Sequence, residues 1–320
     1  MPGMNLRFQR WFAIAILLLG TSWLFVPLDG AQIIQRPFAG VILREQTESS
    51  PRNLRIHIVE IDLATPGIRF KLTPPGGSME TVRNTTLGFL RQERAQLAIN
   101  AHFFLPFPST SPDAMLIGLA ASDGNVYSSF ESPVQSYAIV TDAPAINIDP
   151  MNRVSVVHRN PAFADGTHVL ESVRLWNALA GSAQIVTDGV KTIPSYKDSL
   201  HPSGLLEPGG PGSYDNTRSW YDVPNARTAM GITRDNRTLV LFVVDRAAGS
   251  MGMTVGEVAD ILIQDYSVSN ALNLDGGGST TLAMENPSTH MGELVNVSDD
   301  NPAGRSVGSN LAIFANPIEK

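Results

Sequence analysis

Short apolar runs, broken every few residues by glycine, proline or asparagine, dominate this chain from about residue 32 onward, a pattern that predicts strands rather than helices. Leu54–Asp62 reads as one strand, and 68–72 alternates apolar and polar side chains with the period of two expected of a half-buried one. The run 239–245 is apolar until its closing carboxylate and predicts a strand covered on both faces. Leu97–Asn100, 136–140, 271–274 and 311–314 are further strands. Helical periodicity is rarer. Thr254 followed three residues later by Glu257 forms a capping box, and Val255, Val258, Ile261, Leu262 and Tyr266 fall on one face behind it. A second helix is expected over 85–91. The stretch 196–224, rich in Pro, Gly, Ser and Asp, predicts a long surface loop leading to Arg227, with Trp220 and Tyr221 offering aromatic faces at a substrate entrance. Neither a repeat nor a linker divides the chain. The expectation is α+β, a single domain over 32–320 around a mixed, strand-rich sheet with few helices.

Residues 1–31 follow a different pattern. Arg7 and Arg10 precede an apolar stretch from Trp11 to about Leu28, the arrangement of a secretory signal or an uncleaved anchor. Cleavage after Ala31 is imperfectly matched, because Asp29 sits where a small residue is usual. Either route predicts an exported protein, periplasmic or extracellular, touching a membrane only through this segment. A net charge of −7, with no basic stripe, argues against nucleic acid as a partner. The absence of cysteine excludes disulfides, thiolate metal sites and a cysteine nucleophile.

Candidate chemistry gathers where strands stop. Asn273-Leu274-Asp275 runs into Gly276, Gly277 and Gly278, followed by Ser279, Thr280 and Thr281. A carboxylate at a strand end, beside a turn without side chains and several hydroxyls, suits a polar, anionic substrate approaching the main chain; the alternative is a plain glycine hairpin. Asn100, Arg227, Asp245, Asn296 and Arg305 stand at other strand ends. His102, between Ala101 and two phenylalanines, reads more readily as a packed histidine than as a ligand. Neither a His-Glu-x-x-His motif nor a Gly-x-Ser-x-Gly elbow occurs, and no lysine follows the glycines to make a P-loop.

These residues together resemble the phosphodiester glycosidase family. The resemblance is carried by Asn100-Ala101-His102-Phe103-Phe104, by Gly181 through Val186 to Asp188-Gly189, and by Arg227-Thr228-Ala229-Met230-Gly231. It continues with the strand ending in Asp245, the block Leu274 to Ser279, Val295-Asn296 and Arg305, and so covers about 54–315. Two departures stand out: Arg246 replaces a frequent glycine after Asp245, and Ala101-His102 replace glycines after Asn100.

The resemblance implies hydrolysis of a sugar joined through its anomeric carbon to a phosphodiester. It implies Asp275 as nucleophile or general base and Asp245 as the second carboxylate. Arg227 and Arg305 are then the phosphate-holding groups. Asn100 and Asn296 would fix hydroxyls, and Gly276, Gly277, Gly278, Ser279 and Thr280 would hold a phosphate oxygen or a sugar hydroxyl. No cofactor is called for; a divalent cation between Asp245 and Asp275 stays open, although no ligand spacing supports it. The competing expectation is a non-catalytic glycan-binding protein on the same scaffold.

Overall fold

The computed structural model describes residues 30–130, 142–193, 221–298 and 303–318. The expected strand at 136–140, the N-terminal apolar stretch, Trp220 and most of the 196–224 loop lie outside them.

The largest sheet runs, in spatial order, through Gly30–Phe38, Val41–Glu48, Leu54–Asp62, Thr238–Val244, Arg227–Thr233, Val268–Asn273, Ala183–Thr187 and Val190–Lys191. A five-stranded sheet has the order Gly292–Leu294, Leu282–Glu285, Leu97–Asn100, Asn310–Phe314, Arg69–Leu72. A second has Asn125–Ser128, Ala120–Ser122, Asn177–Ala180, Ala145–Ile148, Val154–Val157. The strand-rich α+β expectation holds, with one refinement. Every ladder among these strands is antiparallel, and the strands are shared among several sheets rather than gathered in one mixed sheet. Parallel neighbours need long crossovers, usually helical. Among the described residues only two α-helices exist to supply them, Thr86–Glu93 (α1) and Val255–Gln264 (α2).

Burial explains the layering. In the central strand Thr238–Val244, Leu239, Leu241 and Val243 pack with Leu97, Ile99, Leu311 and Ile146 of the facing sheets. Val240, Phe242 and Val244 pack with Val255, Val258 and Leu262 of α2. An antiparallel strand can therefore be apolar on both faces when a second sheet covers one and a helix the other. α2 starts at the expected place: Thr254 accepts from Glu257 N, and the Glu257 carboxylate accepts from Thr254 N at 2.8 Å. α1 is capped by Thr85 and lies on the outer face of its five-stranded sheet through Phe89 and Leu90.

Tyr221 departs from expectation. It is 1% exposed, packs in the cluster beneath α2, and its carbonyl accepts the Val255 N–H. A ring so placed braces the helix and offers no face to a sugar.

Candidate active site

The period of two decides which side chains can meet. In Arg227–Thr233, Met230 and Ile232 face the sandwich interior while Ala229 faces α2. Thr228 therefore points inward with Met230, and Arg227 points toward the α2 side. Inward-facing Thr228 donates its hydroxyl to Asn100 Oδ1 at 2.9 Å. The same oxygen accepts the Thr281 N–H at 3.0 Å, and Asn100 Nδ2 donates to the Asp275 carbonyl at 2.7 Å. Asn100 is thus the peg that holds Thr228 and both ends of the glycine turn, with its side-chain oxygen accepting two protein hydrogen bonds. The Asp275 N–H donates to Ala101 O, so the main chain of Asp275 is pinned on both sides.

The Asp275 carboxyl is 8% exposed. Burial pushes its pKa up to about 7, against the opposing influence of the Ser279 hydrogen bond, the Arg305 charge and the Gly276 N–H. The turn beyond it is a single 3-10 turn, Gly277–Ser279. Gly277 has φ +57°, a conformation that disfavours a β-carbon. A side chain at Gly278 would collide with the Arg305 guanidinium, which lies across the turn and donates to Ser279 Oγ at 3.3 Å. The expected row of bare amides is mostly closed: Gly277, Ser279 and Thr280 N–H donate to Ala226, Gly276 and Gly277 carbonyls. The Thr280 hydroxyl is the exception, buried with no hydrogen-bond partner.

Asp245 is fully buried and engaged from two sides. Its Oδ1 accepts from Asn296 Nδ2 at 3.0 Å and Val297 N at 3.2 Å, and its Oδ2 lies 3.2 Å from His57 Nε2. Asn296 Nδ2 also donates to Thr280 O at 3.1 Å, and Asn296 Oδ1 accepts the Leu282 N–H. Asp245 thus reaches the glycine turn only through Asn296 and Thr280, which makes it a positioning group. Surrounded by N–H donors, it does not fit a cation, and no group of three His, Asp or Glu among the described residues could hold one. His57 lies 3.6 Å from Glu45 on its other side, an ionic contact too long for a hydrogen bond. Burial works against the His57 charge, but the Asp245 hydrogen bond and the nearby Asp245 and Glu45 carboxylates outweigh it and raise the pKa.

Arg227 is placed differently from expectation. It is wholly buried, its Nε donates to Met253 O at 3.0 Å and its Nη2 to Val223 O. Gly276 rests against its stem. Such a guanidinium fastens the chain before α2 beneath the turn. The structure therefore unites Asn100, Asp275, the glycine turn, Ser279, Thr280 and Arg305, with Asn296 and Asp245 behind them. Thr228 and Thr281, noted in the sequence only as neighbours of Arg227 and Thr280, join that assembly, and so does His57, whose one signal was a histidine in an apolar strand. His102 proves to be packed, hydrogen-bonded to Ser309, Leu119 and Ala180, with burial lowering its pKa to about 4.

A cavity of about 420 Å³ opens elsewhere, lined by Ser155, His158, Gln184, Asp188, Arg234 and Asn270. It occupies the opposite end of the strands Arg227–Thr233 and Val268–Asn273. The buried carboxyl, guanidinium and hydroxyl groups that converge on one turn lie at the Asp275 end instead.

Known proteins share this fold and family. A 63-residue segment is 43% identical to mouse N-acetylglucosamine-1-phosphodiester alpha-N-acetylglucosaminidase; it is 20% of this chain and only 12% of that enzyme. The catalytic domain of the zebrafish enzyme of that name, auto-inhibited by its pro-peptide, superposes with a TM-score of 0.55 at 18% identity, covering 90% of this chain and 88% of its own. A hypothetical protein from Synechocystis superposes with a TM-score of 0.59 at 16% identity, covering 86% of this chain and 62% of its own. At such identities the superpositions speak for the fold alone. The family model for phosphodiester glycosidase matches residues 93–314, a span that takes in Asn100, Asp275, Asn296 and Arg305, and the chain belongs to that family.

Proposed function

We propose that this protein is an exported hydrolase that frees a sugar from a sugar-1-phosphodiester of an envelope or extracellular glycan. One observation carries the reading: Asp275, its main chain pinned through Asn100 and its carboxyl poised to titrate near neutrality, shares the glycine turn with the Arg305 guanidinium. Cleavage breaks the bond between the anomeric carbon and the phosphate oxygen, and the electron pair leaves with the phosphate. A phosphate monoester has a second pKa of roughly 6 and needs little proton donation. Holding its charge matters more, and a guanidinium does this with two parallel N–H donors. Positive charge developing on the sugar ring is met by ionised Asp275, which attacks the anomeric carbon or takes the proton of an attacking water. The Thr280 hydroxyl remains to bond substrate. Family membership and the name of the mouse relative support a sugar-1-phosphodiester as substrate, N-acetylglucosamine first among the sugars to try. The N-terminal basic-apolar pattern supports export.

The test is purified protein against a panel of sugar-1-phosphodiesters, with and without chelator, with release of sugar and phosphate monoester as the readout. Binding of these compounds without release of either product would identify a glycan-binding protein instead.

A further inference from the structure

The cavity of about 420 Å³ takes no part in the chemistry around Asp275. It opens at the Thr233 end of one strand and the Val268 end of its neighbour, against the outer strand Val154–Val157 of the second five-stranded sheet. Two irregularities in the ladders meet there. Gln184 pairs with Leu272 and Val186 with Ala271, so Ile185 is an extra residue. Ile232 pairs with Asn270 and Thr233 with Val268, so Ser269 is another. Such bulges re-aim the side chains beside them. Here they bring two amides together: Gln184 Nε2 donates to Asn270 Oδ1 at 3.0 Å and to the Val186 carbonyl at 3.1 Å. Asn270 Oδ1 also accepts the Asp188 N–H at 3.3 Å, and Asp188 stands at φ +52° in the tight turn between Thr187 and Val190.

The groups left over are polar and unengaged. Among the described residues the Asp188 carboxylate, Gln184 Oε1 and His158 Nε2 have no hydrogen-bond partner, since His158 uses only Nδ1, 2.8 Å from Glu171 Oε1. Arg234 donates Nη2 to the Asp188 carbonyl at 2.9 Å and pairs with no described carboxylate. The strand Val154–Val157 adds main chain. Along its outer edge the Val154 N–H and C=O are taken by Asn236, and those of His158 by Glu171 and the Leu170 N–H. Antiparallel alternation turns the Val156 peptide groups to the same edge, where they stay free between these two.

That inventory selects a ligand. One carboxylate and one guanidinium cancel, so neither an anion nor a cation is favoured. A peptide adding as a strand needs a row of free N–H and C=O groups, and only Val156 offers them. A sugar fits: each hydroxyl both donates and accepts, and a planar carboxylate, amide or guanidinium can bond two neighbouring hydroxyls at once. Val154, Val156 and Ile232 supply apolar wall for its C–H groups. The volume lies in the range of about 300–1,000 Å³ usual for small-molecule sites.

We propose that this cavity is a second glycan-binding site, separate from the Asp275 turn, that holds a neutral stretch of saccharide. The six-residue strand Val268–Asn273 sets the two apart by about 17 Å, at roughly 3.3 Å per residue. On a polymeric substrate, a grip at one end raises the effective concentration of phosphodiester at the other. That consequence rests on the hydrolase reading; the site itself does not.

Amide NMR titration of the protein with maltotriose, chitotriose and mannotriose locates binding directly. At least one of them should move the Val156, Gly189 and Asn270 signals. Asp188→Asn keeps the turn, because asparagine tolerates the left-handed region, and should weaken that trisaccharide about five- to tenfold through loss of a charged acceptor. Gln184→Ala should weaken it by a similar factor, and Asp275→Asn should leave it unchanged. Glucose 6-phosphate should bind the cavity no more tightly than glucose. Shifts confined to Gly276–Thr280, no shift with any of the three, or unchanged affinity in either cavity variant overturns the site. Tighter binding of the phosphate overturns the neutral ligand. Turnover of a small sugar-1-phosphodiester by the parent judges the Asp275 reading by itself. Both cavity variants should keep the parent kcat/KM on it, and a loss in either would make the cavity a support of the turn instead of a separate site.

Discussion

The Asp275 carboxyl holds together burial, titration and chemistry. With a pKa of about 7 against an ordinary 3.8, it keeps a proton in the folded state that the unfolded chain has released. Stability therefore falls as pH climbs from about 4 to about 7, because the unfolded state binds fewer protons over that window. Activity should move the other way: as nucleophile or base, Asp275 must be ionised, so kcat/KM should rise through about pH 7 and level off. Asp275→Asn separates the two. It should lower turnover by at least about 100-fold. It should also melt higher than the parent at pH 8 by roughly 1–3 kcal/mol equivalent, with no advantage at pH 4. A falling limb through pH 7 would recast Asp275 as an acid. The two arginines divide similarly. Arg305→Lys should raise KM for phosphodiesters about tenfold while sparing the melting temperature, because an ammonium cannot reproduce the planar fork. Arg227→Lys, which disturbs donors to two backbone carbonyls, should chiefly lower the melting temperature.

Elements differ in how plainly their sequence announces them. The α2 cap was legible because Thr254 and Glu257 are three residues apart and bond each other. Thr254→Ala should cost about 1 kcal/mol in denaturant unfolding. The strand Thr238–Val244 was equally plain, since no polar residue interrupts it. Arg227 was legible as a strand-end residue but its face was not. Facing depends on which layers cover the sheet, and two neighbours in sequence, Arg227 and Thr228, went to opposite sides. The open amide cradle was misjudged for a related reason. A glycine turn frees its N–H groups only when nothing else accepts them, and the Ala226 carbonyl that accepts from Gly277 lies 51 positions earlier, just before the strand Arg227–Thr233. His57 belongs to this scale too. It joins the Leu54–Asp62 strand to Asp245 at the end of its neighbour, and Glu45 reaches it from a third strand. Its folded pKa lies above 6.5, so its stabilising charge is complete below about pH 6.5 and is lost as pH rises through the folded value. His57→Gln should be destabilised by about 2–4 kcal/mol at pH 6 and by less at pH 9, measured by urea unfolding at both.

For the whole molecule, the prediction concerns place. The chain should be recovered outside the cytoplasm, either cut near Ala31 or retained by its apolar start. Ala31 lies in the exposed outer strand Gly30–Phe38, so cleavage there trims an edge and leaves the sandwich intact. Fractionation that finds the protein in the cytosol with its N-terminus uncut would remove both the export and the envelope substrate. No described helix is long and apolar enough to cross a membrane.

The strand Asn310–Phe314 lies between Leu97–Asn100 and Arg69–Leu72, pairing Asn310 with the Asn100 from which the Asp275 turn is hung. The groups proposed to act on a phosphodiester thus depend on a pairing between residues 210 positions apart in sequence. Contacts that span so much of the chain form slowly and late. A partly folded polypeptide therefore carries no working site until Asn310–Phe314 slots between its two neighbours. The proposed chemistry can begin only where folding finishes.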